Sequence, residues 1–256
     1  MKDLEGKVAL ITGGSRGIGR ALCVQLTALG AHVYACARDI ESLRETEALC
    51  GEGASFTGVQ ADVTDPSAVK RLVGRIADER GHLDILVNNA AILGPRKNLE
   101  EVALEDWQKT QRINVDGVFI VSTQSIALLR EAEQSVMINV SSSVGRRGRG
   151  GWGPYAVSKH AVEGITETLA EELASDGVCV VSINPGGTAT DMRQEAYPSE
   201  DPNTLPSAES IASTFVLLMQ TLDMGQTGHK YDARALLDRV EGAENAAGEG
   251  DLPFVS

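Results

Sequence analysis

The feature that most restricts the fold of this chain is a regular alternation of short apolar runs with longer amphipathic stretches. Residues 8–11, 33–36, 56–59, 85–87, 136–140 and 178–183 are mostly apolar and of strand length. Runs of this kind read as strands buried on both faces. Between them, residues 17–29, 68–79, 104–129 and 155–173 space their apolar side chains as helices do. Strand and helix in turn predict an α/β fold, a doubly wound parallel sheet of about seven strands with helices on both faces.

Composition agrees with that core. The chain is 42% hydrophobic but only 4% aromatic, so the interior must be filled by Ala, Val, Leu and Ile, as in a parallel sheet covered on both sides. No repeat or long polar linker divides the 256 residues, which predicts one domain over 1–240. Residues 241–256, largely Gly, Ala and Glu, read as a mobile tail. A second departure is 192–206, which carries Pro198, Pro202 and Pro206 without apolar periodicity and reads as a loop of functional length.

Lys plus Arg total 23 against 36 for Asp plus Glu, a net charge of -13 that would repel a phosphate backbone and argues against nucleic acid as a partner. The apolar run near the N-terminus is too short to span a bilayer, and no cleavage signal follows it, so a membrane is not an expected partner either. Cys23, Cys36, Cys50 and Cys179 form no CxxC pair and have no His at zinc spacing. They are expected to be small packing residues of a protein in the reducing cytoplasm, without disulfide or metal.

The first strand runs directly into Thr12-Gly13-Gly14-Ser15-Arg16-Gly17-Ile18-Gly19, and a helical pattern begins at once. Glycines at this junction let the backbone turn tightly and approach a pyrophosphate, whose charge then sits at the positive end of the helix. The GK[ST] ending of a nucleoside-triphosphate loop is missing, which removes phosphotransfer from consideration. Further on, Tyr155 and Lys159 lie four residues apart in a helical pattern and so share one helix face. A free phenol has a pKa near ~10, and a neighbouring cation favours its ionised form, which makes the pair a candidate acid/base.

With Thr12 to Gly19, Asp62, Asn88-Asn89-Ala90-Ala91, Ser142, Tyr155, Lys159 and Pro185-Gly186 in this order, residues 5–232 resemble the short-chain dehydrogenase/reductase family. The resemblance implies a Rossmann-type sheet that binds a nicotinamide dinucleotide and an oxidoreductase acting on a small-molecule carbonyl or alcohol. It implies a catalytic tetrad of Asn114, Ser142, Tyr155 and Lys159. Tyr155 would exchange the proton, Ser142 would bond the substrate oxygen, Lys159 would tune the phenol and hold the ribose hydroxyls, and Asn114 would hold a water beside the lysine. Cofactor contacts would come from Gly13, Ser15, Arg16, Gly17, Ile18 and Gly19, from Asp62 and Val63 at the adenine, and from Asn89 and Ala90. Pro185, Gly186, Thr188 and Thr190 would complete them at the nicotinamide end. Ala91 departs from the family's NNAG pattern. Thr227 to Arg234 departs from the Gly-rich aspartate motif of many relatives, so that homodimer and homotetramer are both implied.

Cofactor choice is a question of charge. A carboxylate at the end of the second strand selects NAD by accepting the ribose hydroxyls and repelling a 2'-phosphate. Here that place reads Cys36-Ala37-Arg38, so Arg38 with Arg16 is expected to clamp the 2'-phosphate of NADP(H), with NAD(H) the less favoured cofactor. The alternatives are surface arginines, with Asp39 pairing Arg38, and an NAD-preferring alcohol dehydrogenase. A non-catalytic dinucleotide sensor would be expected to have lost Tyr or Lys, and both are present. Finally, Gly145 to Gly153 holds Arg146, Arg147 and Arg149 beside Trp152. This basic loop is expected either to be solvated or to meet an anionic substrate, with 192–206 as a lid.

Overall fold

Each apolar run becomes a strand in the computed structural model, which describes residues 2–243 and 254–255. The strands are β1 (Val8–Thr12), β2 (His32–Ala37), β3 (Phe56–Gln60), β4 (Ile85–Asn88), β5 (Ser135–Val140), β6 (Val178–Asn184) and β7 (Lys230–Asp232). The two-residue β8 (Phe254–Val255) pairs antiparallel with β7, and all the other pairings are parallel. The sheet order is β3-β2-β1-β4-β5-β6-β7-β8. The predicted sheet of about seven parallel strands is therefore present, with one short antiparallel edge strand added. Residues 244–253 and 256 of the expected tail lie outside the described residues.

The helices are α1 (Gly17–Ala28), α2 (Ile40–Cys50), α3 (Pro66–Arg80), α4 (Leu104–Gln111), α5 (Gly117–Glu131), α6 (Ser143–Arg146), α7 (Gly153–Glu172), α8 (Asp191–Ala196), α9 (Ala208–Thr221) and α10 (Ala233–Ala243). Alternate strand residues face opposite sides, so β1 to β6 feed two cores. Ala9 and Ile11 of β1 pack with Leu22 and Leu26 of α1 and Ile211 and Phe215 of α9. Val8 and Leu10 pack with Leu72 and Ile76 of α3 and Val121 of α5. Burying each such branched side chain contributes about 1.5–3 kcal/mol. Cys23, Cys36 and Cys179 are free thiols buried in these layers, and Cys50 is half-buried.

Local chemistry moves two predicted helix boundaries. Helix α3 begins at Pro66, before the first periodic apolar residue, because Asp65 caps it by accepting from the Ser67 N–H and proline suits the first turn. The single helix predicted over 104–129 is interrupted by a π-helical turn at Arg112–Asp116. The cause is Asn114. Its side-chain amide is bonded to both backbone groups of Ile92 and to Ser158 Oγ, which draws this turn toward the sheet.

Strand order reverses between β1 and β4, so the loops leaving their C-terminal ends diverge and leave a crevice. The candidate residues come from the C-terminal ends of β1 to β6 or from the segments that follow them.

Candidate active site

The crevice has a volume of about 750 Å³ and runs from Arg38, past the loop 13–19, to Tyr155. Gly13, Ser15, Arg16, Gly17 and Ile18 line its middle. Gly19 does not line it, yet its lack of a side chain shapes the loop. A Cβ there would lie 2.2 Å from the Gly13 carbonyl oxygen, so Gly19→Ala is expected to displace the loop and lose dinucleotide binding, checked by fluorescence titration with NADPH. Asn89 braces the same loop, its side-chain amide donating to the Thr12 and Gly13 carbonyls. Thr12, which sequence reasoning did not single out, gathers the two sides of the crevice: its hydroxyl accepts from the Asn89 and Ala90 N–H groups. Ala91 needs no glycine conformation, because no residue other than glycine has a positive φ among the described residues.

These groups suit a dinucleotide. Helix α1 opens toward the crevice with no side-chain cap and no acidic residue in its first turn, which leaves its N–H groups and positive dipole end for an anion. Arg38 lines the far end, and among the described residues its side chain has no hydrogen bond or ion pair. Asp39, the alternative partner, instead caps α2 by accepting from the Glu41 N–H and the Ser42 hydroxyl. Arg16 lines the middle of the same crevice, and its guanidinium lies 3.4 Å from Asp191 at the start of α8. That pair is exposed and contributes at most about 1 kcal/mol. Asp62 and Val63 line the crevice beside Arg38, the Asp62 carboxylate accepting from the Thr64 N–H.

At the other end Ser142, Tyr155 and Lys159 converge. Ser142 follows β5 in extended conformation and lies beside the Tyr155 phenol, favouring its ionised form; the Ser141 hydroxyl is buried without a partner among the described residues, and Ser143 is exposed. Lys159 Nζ lies 5.7 Å from the Tyr155 ring centroid and donates to the Val140 carbonyl at 2.7 Å. Gly145 permits this approach, because a Cβ there would sit 2.7 Å from Lys159 Cβ and 2.8 Å from its backbone. Asn114 is fully buried, one layer behind, and anchors Ile92 rather than facing the phenol. Pro185, Gly186, Thr188 and Thr190 line the crevice beyond β6, and Thr190 caps α8.

Burial pushes the Tyr155 phenol up to about 12, against the lowering effect of Ser142. Burial also pushes Lys159 down to about 8, against the attraction of the Glu163 carboxylate. Below about pH 8 the folded protein must bury an ammonium. Between about 8 and 10.5 the unfolded chain holds more protons, so this contribution to stability grows as pH rises. Lys159→Met is therefore expected to stabilise the fold at pH 7. The relief of about 3 kcal/mol is partly offset by leaving the Val140 carbonyl without its donor. Melting curves at pH 7 and pH 10 check this, with a gain of a few degrees at pH 7 that shrinks at pH 10.

The basic loop is divided by the fold. Arg146 is drawn inward to Glu163 and Asp232, each at 3.2 Å, and Arg147 is exposed away from the crevice. Only Arg149 and Trp152 of this segment line it. The expected loop over 192–206 holds helix α8 and a short 3-10 turn at Pro202–Thr204, so it is more structured than its prolines suggested. Met192, Arg193, Ala196 and Tyr197 come from it to the crevice. Sequence reasoning placed this segment at the pocket without showing which of its side chains reach it, and it did not single out Leu93, because nothing local marks a side chain that a distant loop will meet.

Residues 7–201 match the family described as short chain dehydrogenase. The chain is 34% identical over 238 residues to YciK, an uncharacterized oxidoreductase of Escherichia coli strain K12, covering 90% of this chain and 93% of that one. It is 33% identical over 221 residues to an NADPH-dependent pterin aldehyde reductase of Arabidopsis thaliana, covering 86% and 91%. A solved short chain dehydrogenase of Escherichia coli CFT073, complexed with NADPH, superposes with a TM-score of 0.85 at 33% identity, covering 91% of this chain and 99% of that one.

Proposed function

Because this chain belongs to the short-chain dehydrogenase/reductase family, we propose that it is an NADP(H)-dependent oxidoreductase interconverting a carbonyl and an alcohol, with Tyr155 as its general acid/base. The observation that carries this reading is the convergence of Ser142, Tyr155 and Lys159 at one end of a crevice whose other end holds Arg38. When bound, NADPH would supply the hydride, and the carbonyl would take up that hydride and a proton to become the alcohol. The uncapped end of α1 would hold the pyrophosphate and Arg38 the 2'-phosphate. Asp62 and Val63 would flank the adenine, Ala90 would border the dinucleotide along β4, and Pro185, Gly186, Thr188 and Thr190 would border the nicotinamide end. The NADPH-bound relative supports this cofactor.

The Ser142 hydroxyl holds the substrate oxygen and Tyr155 passes its proton to that oxygen. Lys159 keeps a positive charge beside the phenol and the ribose hydroxyls at neutral pH. Asn114 fixes the Ile92 backbone and the turn behind Tyr155. A phenol held protonated is the form that reduction uses, and oxidation uses the rarer phenolate. The reduction rate is therefore expected to be flat from pH 6 to 7 and to fall as Lys159 loses its charge near pH 8. Oxidation should instead climb by about tenfold per pH unit until it bends near the same point. Rate profiles in both directions check the two signs.

Exposed Phe119 on α5 and Val157 on α7 support assembly with further copies of the chain, as dimer or tetramer, which light scattering would distinguish. The deciding experiment for the function is a screen of carbonyls and alcohols with NADPH and NADH, following nicotinamide fluorescence. Reduction with NADPH is the expected result, and binding of NADPH without turnover of any compound would favour the sensor reading.

A further inference from the structure

Three aromatic rings crowd the chemical end of the crevice. The Trp152 ring centroid lies 5.9 Å from that of Tyr155 and 6.0 Å from that of Tyr197. Leu93, Val144 and Ala196 pack with these rings, so the wall facing the reacting group is apolar and flat-sided.

The charges around this wall are already committed. Arg193 lies 4.0 Å over the Tyr197 ring and is bonded to both carboxylate oxygens of Glu200, one at 2.6 Å. Arg96 stacks 4.4 Å over Trp152 and 4.7 Å over Tyr197 while donating to the Ala196 carbonyl. An anionic substrate would have to draw Arg193 away from Glu200 or rely on the exposed Arg149, where a charge pair is screened and weak. A cationic one would be repelled by Arg96 and Arg193, whose guanidinium groups lie on the aromatic faces. A neutral ring meets neither cost and packs against Leu93, Ala196 and the ring surface that the guanidinium groups leave to the crevice. The Trp152 Nε1–H is a polar point within this apolar wall. It is buried and has no acceptor among the described residues, although a buried indole N–H ordinarily has one.

Resting on the oxidoreductase reading above, we propose that this site takes a neutral, ring-bearing carbonyl compound, its ring seated against Trp152 and Tyr197 and its carbonyl presented to Ser142 and Tyr155. Trp152 is then the residue that sets specificity for the ring.

The test compares kcat/KM with NADPH for three carbonyls of matched reactivity: a neutral cyclic or aryl ketone, a short linear ketone, and the same cyclic ketone bearing a carboxylate. The neutral ring is expected to exceed each of the others by at least about tenfold. Trp152→Ala should remove at least about tenfold from the ring ketone, chiefly through KM, and less than about threefold from the linear one. Trp152→Phe should restore most of that loss, and NADPH titration reports that each variant is folded. Preference for the carboxylate-bearing ketone, or equal losses on ring and linear ketones, overturns the proposal while leaving the oxidoreductase reading intact. Should Trp152→Ala fail to fold, the wild-type order of the three ketones decides alone. No turnover of any ketone despite NADPH binding overturns the oxidoreductase reading and this inference with it.

Discussion

Tyr155→Phe is expected to lower kcat by about 10²–10⁴-fold while leaving NADPH affinity within about twofold. The substitution removes one oxygen from a buried ring and leaves its packing in place, so the loss falls on proton transfer rather than on folding. Stopped assays on any compound found by the carbonyl screen read the first quantity, and fluorescence titration reads the second. Full turnover in this variant would end the role assigned to Tyr155. A parallel loss of NADPH binding would instead mean that the ring is needed to hold the crevice open, which the contact with Trp152 makes a distinct outcome.

The second large effect concerns cofactor choice. Arg38→Asp is expected to weaken NADPH by about 10²–10³-fold and to leave NADH unchanged or improved. The variant loses a charge-assisted bond of about 1.5–3 kcal/mol and places a carboxylate where the 2'-phosphate would lie. Arg38 is the informative position because nothing among the described residues competes for its guanidinium, whereas Arg16 is already engaged with Asp191. Dissociation constants for both cofactors, measured on wild type and variant at one ionic strength, check the inversion. An unchanged NADPH affinity would move the selectivity to another part of the crevice.

The two substitutions probe features of different legibility. The Tyr155–Lys159 pair, the glycine loop and Arg38 could be named from sequence because each depends on short spacing: two residues one helical turn apart, a loop directly after a strand, a strand end with no carboxylate; Ser142 and Asn114 were implied only by the family resemblance. The sheet was legible for the same reason, since burial on both faces requires runs of apolar residues and a parallel connection requires a helix between them. Spacing failed where a partner lies far along the chain. Arg146 and Arg149 are three residues apart in one basic loop, yet one is drawn to Glu163 and Asp232 and the other reaches the crevice. Asn114 sits in what reads as an unbroken helix, and only its bonds to Ile92 and Ser158 account for the π turn.

What the chain's own order determined is therefore the layered sheet, the glycine loop after its first strand and the pairing of Tyr155 with Lys159 on one helix face. Local hydrogen bonding and side-chain periodicity are properties of neighbours in sequence. What tertiary structure alone decided is the electrostatic state of the pair at the chemical end and the shape of the wall beside it. Burial holds Tyr155 protonated and weakens the hold of Lys159 on its proton, because desolvation depends on everything packed around a group. Trp152, Tyr197 and Leu93 come from three separate segments, and they become one surface only when the fold closes them over the same crevice.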